Sequence, residues 1–214
     1  MARITWKENK IISIETRKRL FVLAQMIQNP YLIIFDKFSF DDKWENIDLN
    51  AIPILLCAPV TKQFLSNSFI STQKNIKPQI NMQIPNYWIH KDVTGFREIS
   101  LWEGTENNIS ISLLGNGEGE LIEKDITKQG SQQNVKLKQM ITSADKGIID
   151  KYEITNVRTY PELNERIYLC YKYGKNVDPL KELSFDQEIP LEYHVYCEIL
   201  SGQMDKEKWE SLSI

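Results

Sequence analysis

The sequence predicts a mainly β protein of the α+β class, built from antiparallel sheets or a partly open barrel with one or two short helices. Alternating, β-branched segments recur through most of the chain, which is the signature of half-buried strands. Prolines at 53, 59, 78, 85 and 161 cut the middle into pieces too short for long helices.

Taken in order, Ile11-Ile12-Ser13-Ile14-Glu15 reads as a first strand. Segments 19–28 and 31–38 flank Asn29-Pro30, a turn dipeptide, and predict a hairpin. A polar excursion over 39–50 ends in an apolar strand over 52–57, closed by Pro59. Ile80-Asn81-Met82-Gln83-Ile84 and segment 97–103 alternate cleanly. Segment 109–114 is a strand that Gly115-Asn116-Gly117-Glu118-Gly119 turns back into 121–126. A polar loop over 127–134 follows, and segment 136–144 is the one plausible mid-chain helix. The tyrosine-bearing segments 166–173 and 191–200 read as two more strands, and Asp205 caps a short terminal helix. A shift to polar composition over 64–79 divides the chain into an N-terminal β unit, 1–68, and a larger β-rich unit, 69–214.

Size and composition narrow the classes. The chain has 214 residues, 42% hydrophobic and 26% charged, as in an ordinary globular protein able to bury a core. No run of about 18 apolar residues occurs. The start, Met1-Ala2-Arg3-Ile4-Thr5-Trp6-Lys7-Glu8, mixes charge with apolar residues and lacks the apolar core of a signal peptide. Cys57, Cys170 and Cys197 are odd in number and each sits in an apolar or aromatic run, as buried reduced thiols do. A cytoplasmic protein is expected.

Catalytic signals are weak. His90 and His194 each stand alone in their segments. Gly115-x-Gly117-x-Gly119 lacks the following helix of a phosphate loop, and Glu118 and Glu120 would repel phosphate. Lys124, Lys128, Lys136 and Lys138 are interrupted by Asp125 in a chain of pI about 5.6, which disfavours direct nucleic-acid binding. No cofactor or metal is expected, and a membrane partner is not.

Charge distribution is more informative. Residues 178–214 hold nine carboxylates against three lysines, a formal −6 in a chain at −3, which leaves 1–177 at +3. An acidic surface steers encounter with a cationic partner. The candidate partner-binding residues are Asp178, Glu182, Asp186, Glu188 and Glu192, with Tyr173 as an aromatic anchor; Glu188, Glu192, His194 and Glu198 share parity if that segment is a strand. The competing acidic site is the loop with Asp41, Asp42, Trp44, Glu45 and Asp48, where Trp44 is the candidate anchor.

The opening pattern adds a resemblance. Lys7-Glu8-Asn9-Lys10-Ile11-Ile12-Ser13-Ile14, then Phe21-Val22-Leu23-Ala24-Gln25, then Pro30-Tyr31-Leu32-Ile33-Ile34-Phe35-Asp36 resembles the start of the bacterial toxin-immunity proteins of the family numbered 26, over roughly the first 60 residues. Such proteins belong to polymorphic or contact-dependent growth inhibition systems. The resemblance implies a non-enzymatic inhibitor that binds one cognate toxin domain in the cytoplasm, as a heterodimer, and blocks it. Many such toxins are RNases or DNases with cationic clefts, which the acidic ridge would occupy. About nanomolar affinity corresponds to roughly 12 kcal/mol, usually over roughly 1,200–2,000 Å². The alternative is a hydrolase using clustered carboxylates on a β scaffold, whose Asp, Glu and His side chains would converge in a concave pocket. A structural β module would instead expose an apolar patch.

Overall fold

The computed structural model describes residues 4–212. In chain order the elements are β1 (Ile11–Glu15), β2 (Phe21–Met26), β3 (Tyr31–Ser39), β4 (Ile54–Pro59), α1 (Lys62–Asn67), β5 (Ile70–Thr72), β6 (Tyr87–Lys91), β7 (Phe96–Leu101), β8 (Ile109–Leu114), β9 (Gly119–Glu123), β10 (Lys136–Ile141), α2 (Lys146–Lys151), β11 (Glu153–Ile154), α3 (Glu162–Tyr173), α4 (Pro179–Ser184), α5 (His194–Ser201) and α6 (Lys206–Ser211). The fold is mainly β, α+β, in open and predominantly antiparallel sheets. Six short helices stand among the described residues where one or two were expected.

The first sheet runs β4-β3-β2-β1-β5 and is antiparallel throughout. Both its faces are covered. Ile12, Ile14, Val22, Ala24, Met26, Leu32 and Ile34 pack against α3, α5 and β8 through Leu163, Ile167, Tyr196 and Ile111. Ile11, Leu23, Ile33 and Phe35 pack on the other side against Trp88 and Ile122 of the second sheet. Strands buried on two faces need apolar residues at successive positions, which is why β1, β2 and β3 read as runs as well as alternations. The expected hairpin forms, with Asn29–Pro30 at its turn. The polar shift at 68/69 falls just before β5, which pairs with β1, so the first sheet takes a strand from beyond it.

The second sheet runs β10-β9-β6-β11, with β11 parallel to β6, and β7 and β8 form a separate two-stranded ribbon. Several expectations are corrected here. Segment 136–144 forms β10 rather than a helix, because Lys136–Ile141 pairs with β9. Segments 166–173 and 191–200 are not strands: the first lies in α3, and the second is a single 3-10 turn leading into α5. The parity shared by Glu188, Glu192, His194 and Glu198 therefore defines no ridge. Residues 80–84 belong to no strand. Gly115–Gly119 makes no hairpin either, since β8 pairs with β7 while β9 pairs with β6 and β10. The loop instead threads a tight space, where a Cβ on Gly115 would stand 2.2 Å from the Asp92 carbonyl oxygen and one on Gly117 2.7 Å from an Asp186 carboxylate oxygen. The terminal helix is as expected, with Asp205 accepting from the Lys208 N–H at its start. No helix among the described residues is long and apolar enough to cross a membrane.

Candidate partner-binding surface

The five candidate acids of the C-terminal segment and Tyr173 occupy three different environments. Asp178 is inside the protein at 2% exposure. It caps α4 by accepting from the Lys181 N–H, and Arg158 Nη2 donates to its carboxylate. Arg166 stands 3.3 Å from the same oxygen. Arg158 also donates to Glu162 at 2.9 Å, and Arg166 to Glu153 at 2.8 Å. The Tyr196 hydroxyl donates to Glu162, and Asn176 Nδ2 donates to Glu153 at 2.7 Å. Burial works to raise the Asp178 carboxyl, but the Arg158 and Arg166 guanidiniums hold it below its ordinary value. Two buried arginines balanced by three carboxylates make an internal ionic hub that fastens α3 and α4 to β11. Arg158 and Arg166 carried no signal in the sequence, because their role depends on burial, and the strand read over 166–173 hid the helix that Arg166 shares with Glu162.

Asp186 is exposed and paired: Arg97 Nη1 donates to it at 2.7 Å while Arg97 Nη2 donates to the Leu183 and Ser184 carbonyls. Glu188 is exposed between α4 and α5.

Tyr173, Glu182 and Glu192 come together. Tyr173, the last residue of α3, stacks edge-on to the buried Tyr193 ring with centroids 5.7 Å apart. Burial raises the Tyr173 hydroxyl, and the Glu192 and Glu182 carboxylates add to the effect. Glu182 is half-buried on α4; burial raises its carboxyl, a weak bond from the Asp178 N–H and the charges of Lys181 and Lys175 oppose that, and the nearby Asp178 charge reinforces it. Among the described residues Glu182 makes no ion pair within 4.0 Å. The patch is thus an aromatic ring held on a buried neighbour, beside one partly desolvated carboxylate and one exposed one.

The second acidic site is a loop that mostly ties itself. Asp42 accepts from Trp44 Nε1 at 3.0 Å, from Gln73 Nε2 at 2.9 Å and from the Ser71 hydroxyl at 2.5 Å. Asp48 caps a 3-10 turn through the Asn50 N–H at 3.0 Å, and Asp41 accepts from the Ser39 hydroxyl and the Lys43 N–H. Trp44 is half-buried, packs against the second core cluster and donates to Ser13 Oγ at 3.0 Å. Glu45 is exposed. Trp44 therefore serves as the loop's own latch to the first sheet.

A groove of about 380 Å³ beside β6 and β9 is lined by His90, Asp92, Thr94, Glu118, Glu120 and Met140, among others. His90 stands opposite Glu120 across the two strands. No cluster among the described residues has the make-up of a metal site.

Residues 1–189 match the family described as a domain of unknown function, DUF8309. The chain belongs to that family. No curated protein matches it. No solved structure matches it. The DUF8309 match includes Tyr173, Asp178 and Glu182, while Glu192 and Tyr196 lie beyond it. All three cysteines are buried; burial pushes the Cys170 thiol up to about 11 and the Cys197 thiol up to about 12.

Proposed function

We propose that this chain is an immunity-type inhibitor, which binds a cationic toxin domain in the cytoplasm and occludes its active-site cleft. The observation that carries the reading is Glu182: a carboxylate partly withdrawn from water, with its protonation favoured by burial and no ion pair of its own, beside an exposed acid and an anchored tyrosine. A carboxylate in that state gains from an arriving Lys or Arg, because the cation offsets a desolvation already incurred. Tyr173 supplies a large, pre-packed aromatic face, the kind of residue that dominates interface energetics. The sequence resemblance over the first strands and the −6 of residues 178–214 point the same way.

The test is co-expression with the toxin domain encoded by the neighbouring reading frame, followed by capture at low and high salt. Growth rescue with a one-to-one complex that weakens as salt rises supports the reading. A harmless neighbour that forms no complex overturns it.

The His90 groove favours a second reading, a hydrolase, since His90, Asp92, Glu118 and Glu120 converge on one concavity. His90→Ala separates the two: it leaves toxin protection intact under the inhibitor reading and abolishes turnover under the hydrolase one.

A further inference from the structure

The geometry points to a second interaction surface, independent of the toxin reading: the free edge of β10, which pairs with β10 of a second copy of this chain. β10 is the outermost strand of the second sheet, and β9 is its one strand neighbour. An edge strand presents unpaired N–H and C=O groups, a template for another strand. This edge also carries apolar side chains in water: Val135 is 57% exposed, Leu137 57% and Met140 59%.

A bulge gives those side chains a common direction. Leu137 stands opposite Ile122 and Met140 opposite Glu120, with the register slipping between Leu137 and Gln139. Ile122 and Glu120 are two apart on β9 and share a face, so Leu137 and Met140 share that face too. Without the extra residue, positions three apart would point to opposite faces. The bulge thus builds an apolar pair on one side of an open edge.

The occupant follows from register. If two copies pair antiparallel about a two-fold axis between Lys138 and Gln139, Leu137 of each faces Met140 of the other. Lys138 then faces Gln139, and Lys136 faces Ile141. Shifting the axis onto Lys138 would set Lys138 against Lys138, and like charges directly opposite destabilise a pair. In the favoured register neither lysine meets a like charge directly opposite, and Lys138 is already paired at home. Lys138 Nζ lies 2.5 Å from a Glu123 oxygen, and the Lys136 charge acts on the same carboxylate. Since both copies use the same edge, the pairing closes as a dimer rather than growing.

Light scattering against concentration tests this. One six-residue strand makes a small interface, so the dimer should be read at concentrations on the order of 100 µM. The mass is expected to rise from 25.1 kDa toward twice that, and Met140→Lys, whose cation would stand opposite Glu120 in its own sheet, to return it to the monomer with an unchanged circular dichroism spectrum. Register is read by disulfide trapping. Under mild oxidation a mixture of Leu137→Cys and Met140→Cys chains is expected to cross-link, while either chain alone is not; the three native cysteines are buried. A chain that stays monomeric overturns the proposal. So does a dimer that survives Met140→Lys, or a mixed pair that traps no better than either cysteine chain alone.

Discussion

Asp178 and Glu182 lie four residues apart at the start of one helix and face opposite conditions. Asp178 is ringed by guanidinium groups and Glu182 is not. Removing one partner from a buried ionic cluster strands the others, at a cost of about 3–5 kcal/mol. Asp178→Ala is expected to lose stability on that scale in urea unfolding, since it strips both Arg158 and Arg166 of a carboxylate. The pH dependence follows the same logic. The Asp178 carboxyl is depressed in the folded state, so its contribution is present above the unfolded carboxylate range and is lost as pH falls through the folded value. Glu182 is raised, so its charge opposes folding at neutral pH, and that penalty disappears as pH falls below its folded value. Glu182→Gln should therefore unfold no earlier than the parent at neutral pH while weakening binding to the toxin domain proposed as its partner. Measuring both properties on one sample separates a binding carboxylate from a structural one.

Elements were legible where local pattern and tertiary context agreed. The Ile11–Glu15 strand, the hairpin at Asn29-Pro30 and the Asp205 cap were all plain in the residues. α3 was not, because its buried positions include Glu162, Asn164, Glu165 and Arg166, whose partners come from other segments. With those polar residues inside, no apolar stripe of period 3.6 appears, and the remaining tyrosines and Ile167 suggest a strand. β10 failed in the opposite direction: Lys, Leu, Gln and Met are good helix formers, and pairing with β9 overrides them. The terminal helix α6 hangs on Trp209, which is buried, donates to Glu165 at 3.0 Å and meets the Tyr160 ring edge-on at 5.4 Å. Trp209→Ala is expected to cost about 3–5 kcal/mol. Hydrogen exchange should show amide protection lost first over 206–211.

Across the whole molecule, the −6 segment does not become a continuous acidic ridge. Cations from outside the segment take part of it, Arg158 and Arg166 at Asp178 and Arg97 at Asp186, while Glu198–Lys208 and Glu210–Lys206 pair charges already counted within it. Arg97 lies 89 residues from Asp186, so no local reading of charge could foresee the pairing. Of the six residues named from the sequence, folding brings Tyr173, Glu182 and Glu192 together. The proposed surface is smaller and more aromatic than charge counting suggested, so salt should slow association more than it loosens the complex. In stopped-flow mixing, the association rate with the toxin domain should fall steeply between low and high ionic strength while dissociation changes little. The most direct test of the proposed surface is the affinity of Tyr173→Ala and Glu192→Lys for that toxin domain, beside the parent chain. A loss of about 30-fold or more in each variant, with the fold intact, is the expected result for an anchor worth about 2 kcal/mol. Parent-like affinity in both would contradict the surface proposed here.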